Sequence, residues 1–172
     1  YVVSLNNEVK EILVLMKKLE PVKLEISAID INKNGAESEF TSGFAESPNE
    51  DYSSDGKYFY EPANVLIKSG LAVNYAKVNG LMTVAKNSFY MLSDKLIKDF
   101  FGRKFRVIAK IPFGKSAVKK YLLLNSITKA NVSKRNFTLS ASELNKLFKL
   151  GDGGEDYLFF TTDSKRNKWV FH

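Results

Sequence analysis

One short phrase occurs twice in this 172-residue chain, and it constrains the fold more than any other feature. Phe89…Leu92-Ser93…Leu96…Phe100 and Phe137…Leu139-Ser140…Leu144…Phe148 share an apolar entry, a serine and a Phe-to-Phe spacing of eleven. An apolar run, then serine, then helical spacing predicts a strand, an N-cap and a helix. Gly102 and Gly151 follow as stops. Before the first copy, Leu71–Val78 and Leu81–Ala85 flank Asn79-Gly80, a hairpin signal because both turn residues need positive φ. Before the second copy, Lys104–Ile111, a turn at Pro112–Gly114 and Lys119–Ile127 read as strands. Asp156–Thr162 and Lys168–His172, around a turn at Asp163–Asn167, read as a terminal hairpin. The expected fold class is α+β: antiparallel sheet in two strand-strand-strand-helix units, preceded by an N-terminal helix.

That helix is expected over residues 4–20. Ser4 stands as N-cap, Glu8 and Glu11 lie near its positive end, and Pro21 stops it. Leu5, Val9, Ile12, Met16 and Leu19 form a heptad seam, which either packs on its own domain or joins a homo-oligomer. Residues 22–31 read as a strand. Residues 36–56 read as an acidic flexible loop, continuous with the turn-rich residues 32–35. Phe40, Phe44 and Tyr52 stud it, so it is either a mobile linker or a segment that imitates a nucleic-acid strand. The organisation expected is residues 1–35 as N-terminal helix and strand, 36–56 as loop, and 57–172 as a basic α+β domain.

Charge divides along the same lines. Residues 1–35 hold five acids and five lysines, and residues 36–56 hold six acids and no base. Residues 57–172 hold 21 bases and 8 acids, net +13. Within them, residues 101–150 carry twelve bases against Glu143 alone, net +11. A polymer of phosphates is the commonest partner of such a patch. In the strand 104–111, Phe105, Val107, Ala109 and Ile111 point one way and Lys104, Arg106 and Lys110 the other, with Ile108 among them. Such a face suits a phosphate backbone, and aromatic rings beside it suit unpaired bases. The expected contacts are Lys104, Arg106, Lys110, Lys115, Lys119, Lys120, Tyr121, Lys134 and Arg135. Tyr75, Tyr90, Phe113 and Tyr121 are the candidate stacking rings, each with a core role as the plain alternative.

Two units of antiparallel strands, each followed by one helix, resemble the Pur-alpha and Whirly groups of single-stranded nucleic-acid-binding proteins. Lys134–Phe148 looks like the strand-to-helix join of a Pur repeat, and Asp156–Arg166 looks like a Pur strand ending in a Lys-Arg pair. The resemblance covers about residues 58–172. It implies a curved sheet that binds single strands, and dimers or higher oligomers.

Several chemistries are excluded or set aside. There is no cysteine, so disulfides, thiolate nucleophiles, iron–sulfur clusters and cysteine-ligated zinc fall away. The single histidine, His172, ends the chain and reads as a frayed terminus or a tag residue rather than a catalyst. Asp163-Ser-Lys165, with Asp152, Glu155 and Asp156 upstream, has the outline of a metal-dependent nuclease motif, but Asp163 falls in a turn. Gly151–Gly154 lacks the Walker lysine and reads as cap and loop, and Asp30–Gly35 lacks the last acid of a calcium loop. No catalytic residue, metal or cofactor is expected. No stretch approaches the roughly 20 apolar residues that cross a bilayer, and no signal-peptide run is present, so an intracellular, non-membrane location is expected. The expected function is non-catalytic binding of single-stranded DNA or RNA. The alternatives are a viral or phage structural or interaction module, or a metal-dependent nuclease.

Overall fold

Asn6 and Asn7 both take positive φ, 51° and 63°, and turn the chain back on itself where a helix was expected. Asparagine is among the few residues that tolerate this region, and two such residues in succession suit a hairpin. In the computed structural model, which describes residues 1–16, 24–43, 51–86 and 88–172, β1 (Val2–Leu5) and β2 (Glu8–Ile12) pair antiparallel. The helix at 4–20 is thus corrected, and with it the oligomer seam built on it. Ser4 is no cap: it is fully buried, and its hydroxyl bonds the Asp30 carboxylate. Residues 17–20 of that span, like Phe44, lie outside the described residues.

β3 (Glu25–Ile31) and β4 (Glu37–Gly43) complete a first sheet in the order β2-β1-β3-β4, with β1 and β3 parallel. β4 occupies part of the segment read as a flexible loop. Its Phe40 meets the Tyr75 ring edge-on at 5.0 Å, so this ring is packed rather than offered to a groove.

The second sheet, order β6-β7-β5-β8, contains β5 (Tyr58–Pro62), β6 (Met82–Thr83), β7 (Met91–Ser93) and β8 (Gly102–Arg106). Helices α1 (Asn64–Lys68) and α2 (Ala72–Val78) pack on it. α2 replaces the first arm of the hairpin expected around Asn79-Gly80. Ala72, Tyr75 and Ala76 recur at helical spacing and are buried. Gly80 does take positive φ, 63°, but as a helix stop: its N–H reaches the Lys77 carbonyl, and the Leu81 N–H reaches Ala76 at 2.8 Å.

The helix expected after Ser93 is also absent. The buried Tyr60 hydroxyl accepts from the Ile97 amide and donates to the Lys95 carbonyl, satisfying that backbone in irregular form. The second copy of the phrase does make its helix, α4 (Ala141–Phe148), with a reciprocal Ser140–Glu143 capping box.

The third sheet, order β10-β11-β12-β9, contains β9 (Lys110–Pro112), β10 (Lys129–Arg135), β11 (Gly151–Thr162) and β12 (Lys168–Phe171). β10 and β11 run parallel around α4, whereas β11, β12 and β9 run antiparallel. Residues 119–127, expected as a strand, are mostly helix α3 (Lys115–Leu124), with Val118 and Leu122 buried one turn apart. The expected strand 104–111 is two strands: β8 pairs with β5 in the second sheet and β9 with β12 in the third.

The fold is therefore not two strand-strand-strand-helix units but, among the described residues, three sheets and four helices. The second and third sheets pack face to face. Phe59 turns to the seam while its neighbour Tyr60 turns to α1 and α2. Phe159 turns to the seam while Leu158 and Phe160 turn to α3 and α4. Alternation along each strand thus builds a core on both faces. No helix among the described residues is long and apolar enough to cross a membrane.

Candidate nucleic-acid interface

Helix α3 carries an open group of cations. Lys115, Lys119 and Lys120 are exposed and make no ion pair among the described residues, while Val118 and Leu122 bury the opposite side. No acid stands in its first turn. Past Leu124 the chain turns through Ser126 and closes a groove of about 490 Å³ against the end of α4. Leu122, Ile127 and Phe148 contribute apolar surface to it, and Lys119 and Lys149 contribute charge. Lys149 ends α4 in the left-handed conformation, φ 55°.

The other expected cations are divided among different tasks. Arg106, on β8, is exposed. Lys104 is also exposed but bonds the Lys98 carbonyl. Lys110 is pinned: its ammonium lies 2.8 Å from Asp55 Oδ1 and from Ser54 Oγ, and 4.0 Å from the centre of the Trp169 ring. Arg135 stands 3.7 Å from the Glu61 carboxylate and over the Tyr90 ring. Lys134 reaches the Phe137 carbonyl at the edge strand β10. The structure thus groups Lys115, Lys119 and Lys120, and sets Lys110 and Arg135 into packing roles.

The candidate stacking rings are engaged in the interior. The Tyr75 hydroxyl accepts from the Phe101 amide, and burial pushes its pKa up. Tyr90 is fully buried, and its hydroxyl bonds Ser133; burial, the largest cause, pushes its pKa far up. Phe113 packs against Phe137, Phe148 and Phe160. Tyr121 bonds His172 Nδ1, and His172 Nε2 bonds Asp156 in turn. His172 is accordingly not frayed: its side chain is 8% exposed and its carbonyl accepts from Ile108 and Ala109.

Arg103 escaped the sequence reading. Its guanidinium pairs with the buried Glu61 directly across the β5–β8 ladder and lies 5.6 Å from the centres of the Phe105 and Tyr157 rings. Only the pairing of two distant strands brings these groups together. Lys149 was missed for another reason, since a lysine after a helix carries no turn signal.

The nuclease outline at Asp163 dissolves. Its carboxylate accepts from the Lys165 and Asn167 amides, the Asn167 side chain and the Trp169 indole, which makes it the staple of the β11–β12 turn. Asp156 serves His172. Among the described residues no three His, Asp or Glu side chains are grouped to hold a metal.

Three comparisons bear on these features. Residues 102–172 match the family model described as THUMP domain-like, a likeness consistent with RNA binding. No curated protein matches the chain. The solved structure of a "putative methyltransferase" from Porphyromonas gingivalis W83 superposes with a TM-score of 0.88 at 34% identity over 99% of this chain. The chain spans 43% of that protein, less than half its length. These findings overturn the Pur-alpha and Whirly resemblance, which the parallel β10–β11 pair also contradicts. The stretch similar to THUMP domains begins with β8, whose Arg103 and Arg106 open the most basic part of the chain.

Proposed function

We propose that the chain is an RNA-binding module that works beside a catalytic domain of methyltransferase type, with the RNA contact on the C-terminal unit. One observation carries this reading: the THUMP-like match and the positive charge coincide. Residues 102–172 hold fifteen bases and five acids, net +10, whereas residues 1–56 hold five bases and eleven acids, net −6. THUMP domains bind RNA. The exposed lysines of α3 and the groove beside them, rimmed by Lys119 and Lys149, are the surface assigned to the phosphates. An unpaired strand suits this surface because its flexible backbone can follow cations spread over a helix and a groove rim. No chemical step is assigned to this chain, since Asp163 and Asp156 are committed to turns and tethers.

Fluorescence anisotropy against single-stranded RNA, duplex RNA and single-stranded DNA of matched length, each at two salt concentrations, tests this. Affinity should be highest for single-stranded RNA and fall with salt at a slope near −0.7 per neutralised phosphate. Equal, salt-independent binding of all three would refute the reading.

A further inference from the structure

Among the described residues, the first sheet is covered on one face only. Its Val2, Val9, Ala28 and Phe40 pack into the cluster formed with α1 and α2. The other face presents two transverse rows. One reads Glu11–Val3–Ile29–Glu39 and the next Glu8–Leu5–Ile31–Glu37. Four aliphatic side chains thus form a central block, with a column of glutamates on either side. Leu5 is 44% exposed, and Val3, Ile29 and Ile31 are partly exposed. From the end of β2 the chain continues as Ile12-Leu13-Val14-Leu15-Met16, five apolar residues in succession, all exposed and reaching 86% at Met16. Among the described residues, β2 is an edge strand, with one side of its backbone unpaired.

Parallel strands are ordinarily buried on both faces, and β1 and β3 are parallel. A contiguous exposed aliphatic patch beside an open edge marks a contact surface. RNA does not suit it, because four glutamates frame it: Lys10 pairs with Glu8 at 2.8 Å, while Glu11, Glu37 and Glu39 make no ion pair among the described residues. The charge pattern selects an aliphatic surface flanked by Lys or Arg. The solved structure that superposes on this chain has more than half its length outside the matched part.

We propose that this face and the β2 edge are the seat of the catalytic domain of methyltransferase type. That domain would lay an aliphatic stripe over Val3, Leu5, Ile29 and Ile31 and set basic side chains against Glu11, Glu37 and Glu39. The proposal rests on the functional reading above for the identity of the occupant.

The absence of cysteine makes the test direct. Leu5→Cys and, separately, Ile31→Cys are labelled with a maleimide, and the modified peptide is quantified by mass spectrometry. Labelling is compared between the 172-residue chain and a chimera in which it replaces the matched part of the Porphyromonas gingivalis protein. Leu123→Cys, exposed on α3 and outside the first sheet, serves as reference. We expect labelling at positions 5 and 31 to slow at least ten-fold in the chimera while position 123 is unchanged. Equal rates in both proteins overturn the proposal, as does a chimera that aggregates while the chain alone stays soluble. Protection in the isolated chain that grows with its concentration also overturns it, because a second copy then covers the face. RNA affinity of the isolated chain, read by anisotropy, stands or falls independently of these rates.

Discussion

The Tyr121 hydroxyl and His172 Nδ1 lie 2.8 Å apart, and this contact ties helix α3 to the end of β12. Asp156 holds the other imidazole nitrogen at 3.0 Å. Tyr121 is thus a tether, and burial together with the nearby Asp156 keeps its hydroxyl protonated. Tyr121→Phe should lower stability by about 1 kcal/mol, the net worth of one partly buried hydrogen bond. RNA affinity should change less than two-fold. Urea denaturation and anisotropy on the same preparation check both. A ten-fold drop in affinity with unchanged stability would return Tyr121 to the binding surface.

Lys115 and Lys119 stand one turn apart on α3, both exposed. Lys115→Glu with Lys119→Glu should weaken RNA binding at least ten-fold. The salt slope should shrink by about 0.7 for each phosphate no longer neutralised. The fold should hold, because a carboxylate in the first turn suits the positive end of a helix. A native circular dichroism spectrum with full affinity would move the RNA-binding surface away from α3.

Lys110 behaves differently from its neighbour Arg106, although alternation along one strand put both on one outward face. Lys110 lies between Asp55 and the Trp169 ring, with its side chain 22% exposed. Lys110→Glu sets a second carboxylate against Asp55 and removes the cation from the ring. It should cost about 1–2 kcal/mol, the sum of a cation–π interaction and an ion pair to a mostly exposed carboxylate. Arg106→Glu should cost less than about 0.5 kcal/mol, as surface changes do. Equal urea midpoints for the two variants would contradict the placement of Lys110.

The contrast shows what was legible in the residues. Sequence reading places Phe105 and Val107 inward, and the seam cluster bears this out. It could not show that the strand changes sheets between Arg106 and Lys110. The second serine phrase is read well because Glu143, three residues on, closes the capping box; the first has Leu96 there and makes no helix. Asn79-Gly80 marks a positive φ, but a helix stop and a hairpin both use one. Asn6-Asn7 marks the real hairpin, but Leu5, Val9 and Ile12 also fit a heptad, a signal that points to a helix. The basic surface is legible from charge alone, since lysines declare themselves. The parallel pairs β1–β3 and β10–β11 are not, because they join segments far apart in the chain.

Asp163 links stability to acid. Burial raises its carboxyl, but the Trp169 indole, the Asn167 side chain and the backbone amides of Asn167 and Lys165 outweigh that and hold its pKa below the usual value. A folded-state pKa below the unfolded one gives stability that is present above the unfolded pKa of about 3.9. That stability is lost as pH falls through the folded pKa. Asp163→Asn should lower stability at pH 7 by about 1–3 kcal/mol. It should also flatten the fall in stability below about pH 4. Urea midpoints from pH 2.5 to 7 check this; parallel curves for the two proteins would remove Asp163 from the linkage.

Lys149 ends α4 with φ 55° and ψ 41°, and the Leu150 amide reaches back to the Asn145 carbonyl at 2.9 Å. An L-residue pays about 1–2 kcal/mol for this conformation, and glycine avoids it. The greater freedom of glycine in the unfolded chain takes back about 0.5–1 kcal/mol. Lys149→Gly should therefore stabilise by about 0.5–1 kcal/mol and raise Tm by about 1–4 °C, the range for chains of this size. Lys149 also rims the groove assigned to RNA, so the same variant should reduce the salt slope by about 0.7 while the protein becomes more stable. Scanning calorimetry and anisotropy separate the two effects. A lower Tm would mean that the lysine side chain contributes packing worth more than the strain at its backbone. An unchanged salt slope with a higher Tm would leave Lys119, across the groove, as the cation that meets the phosphate.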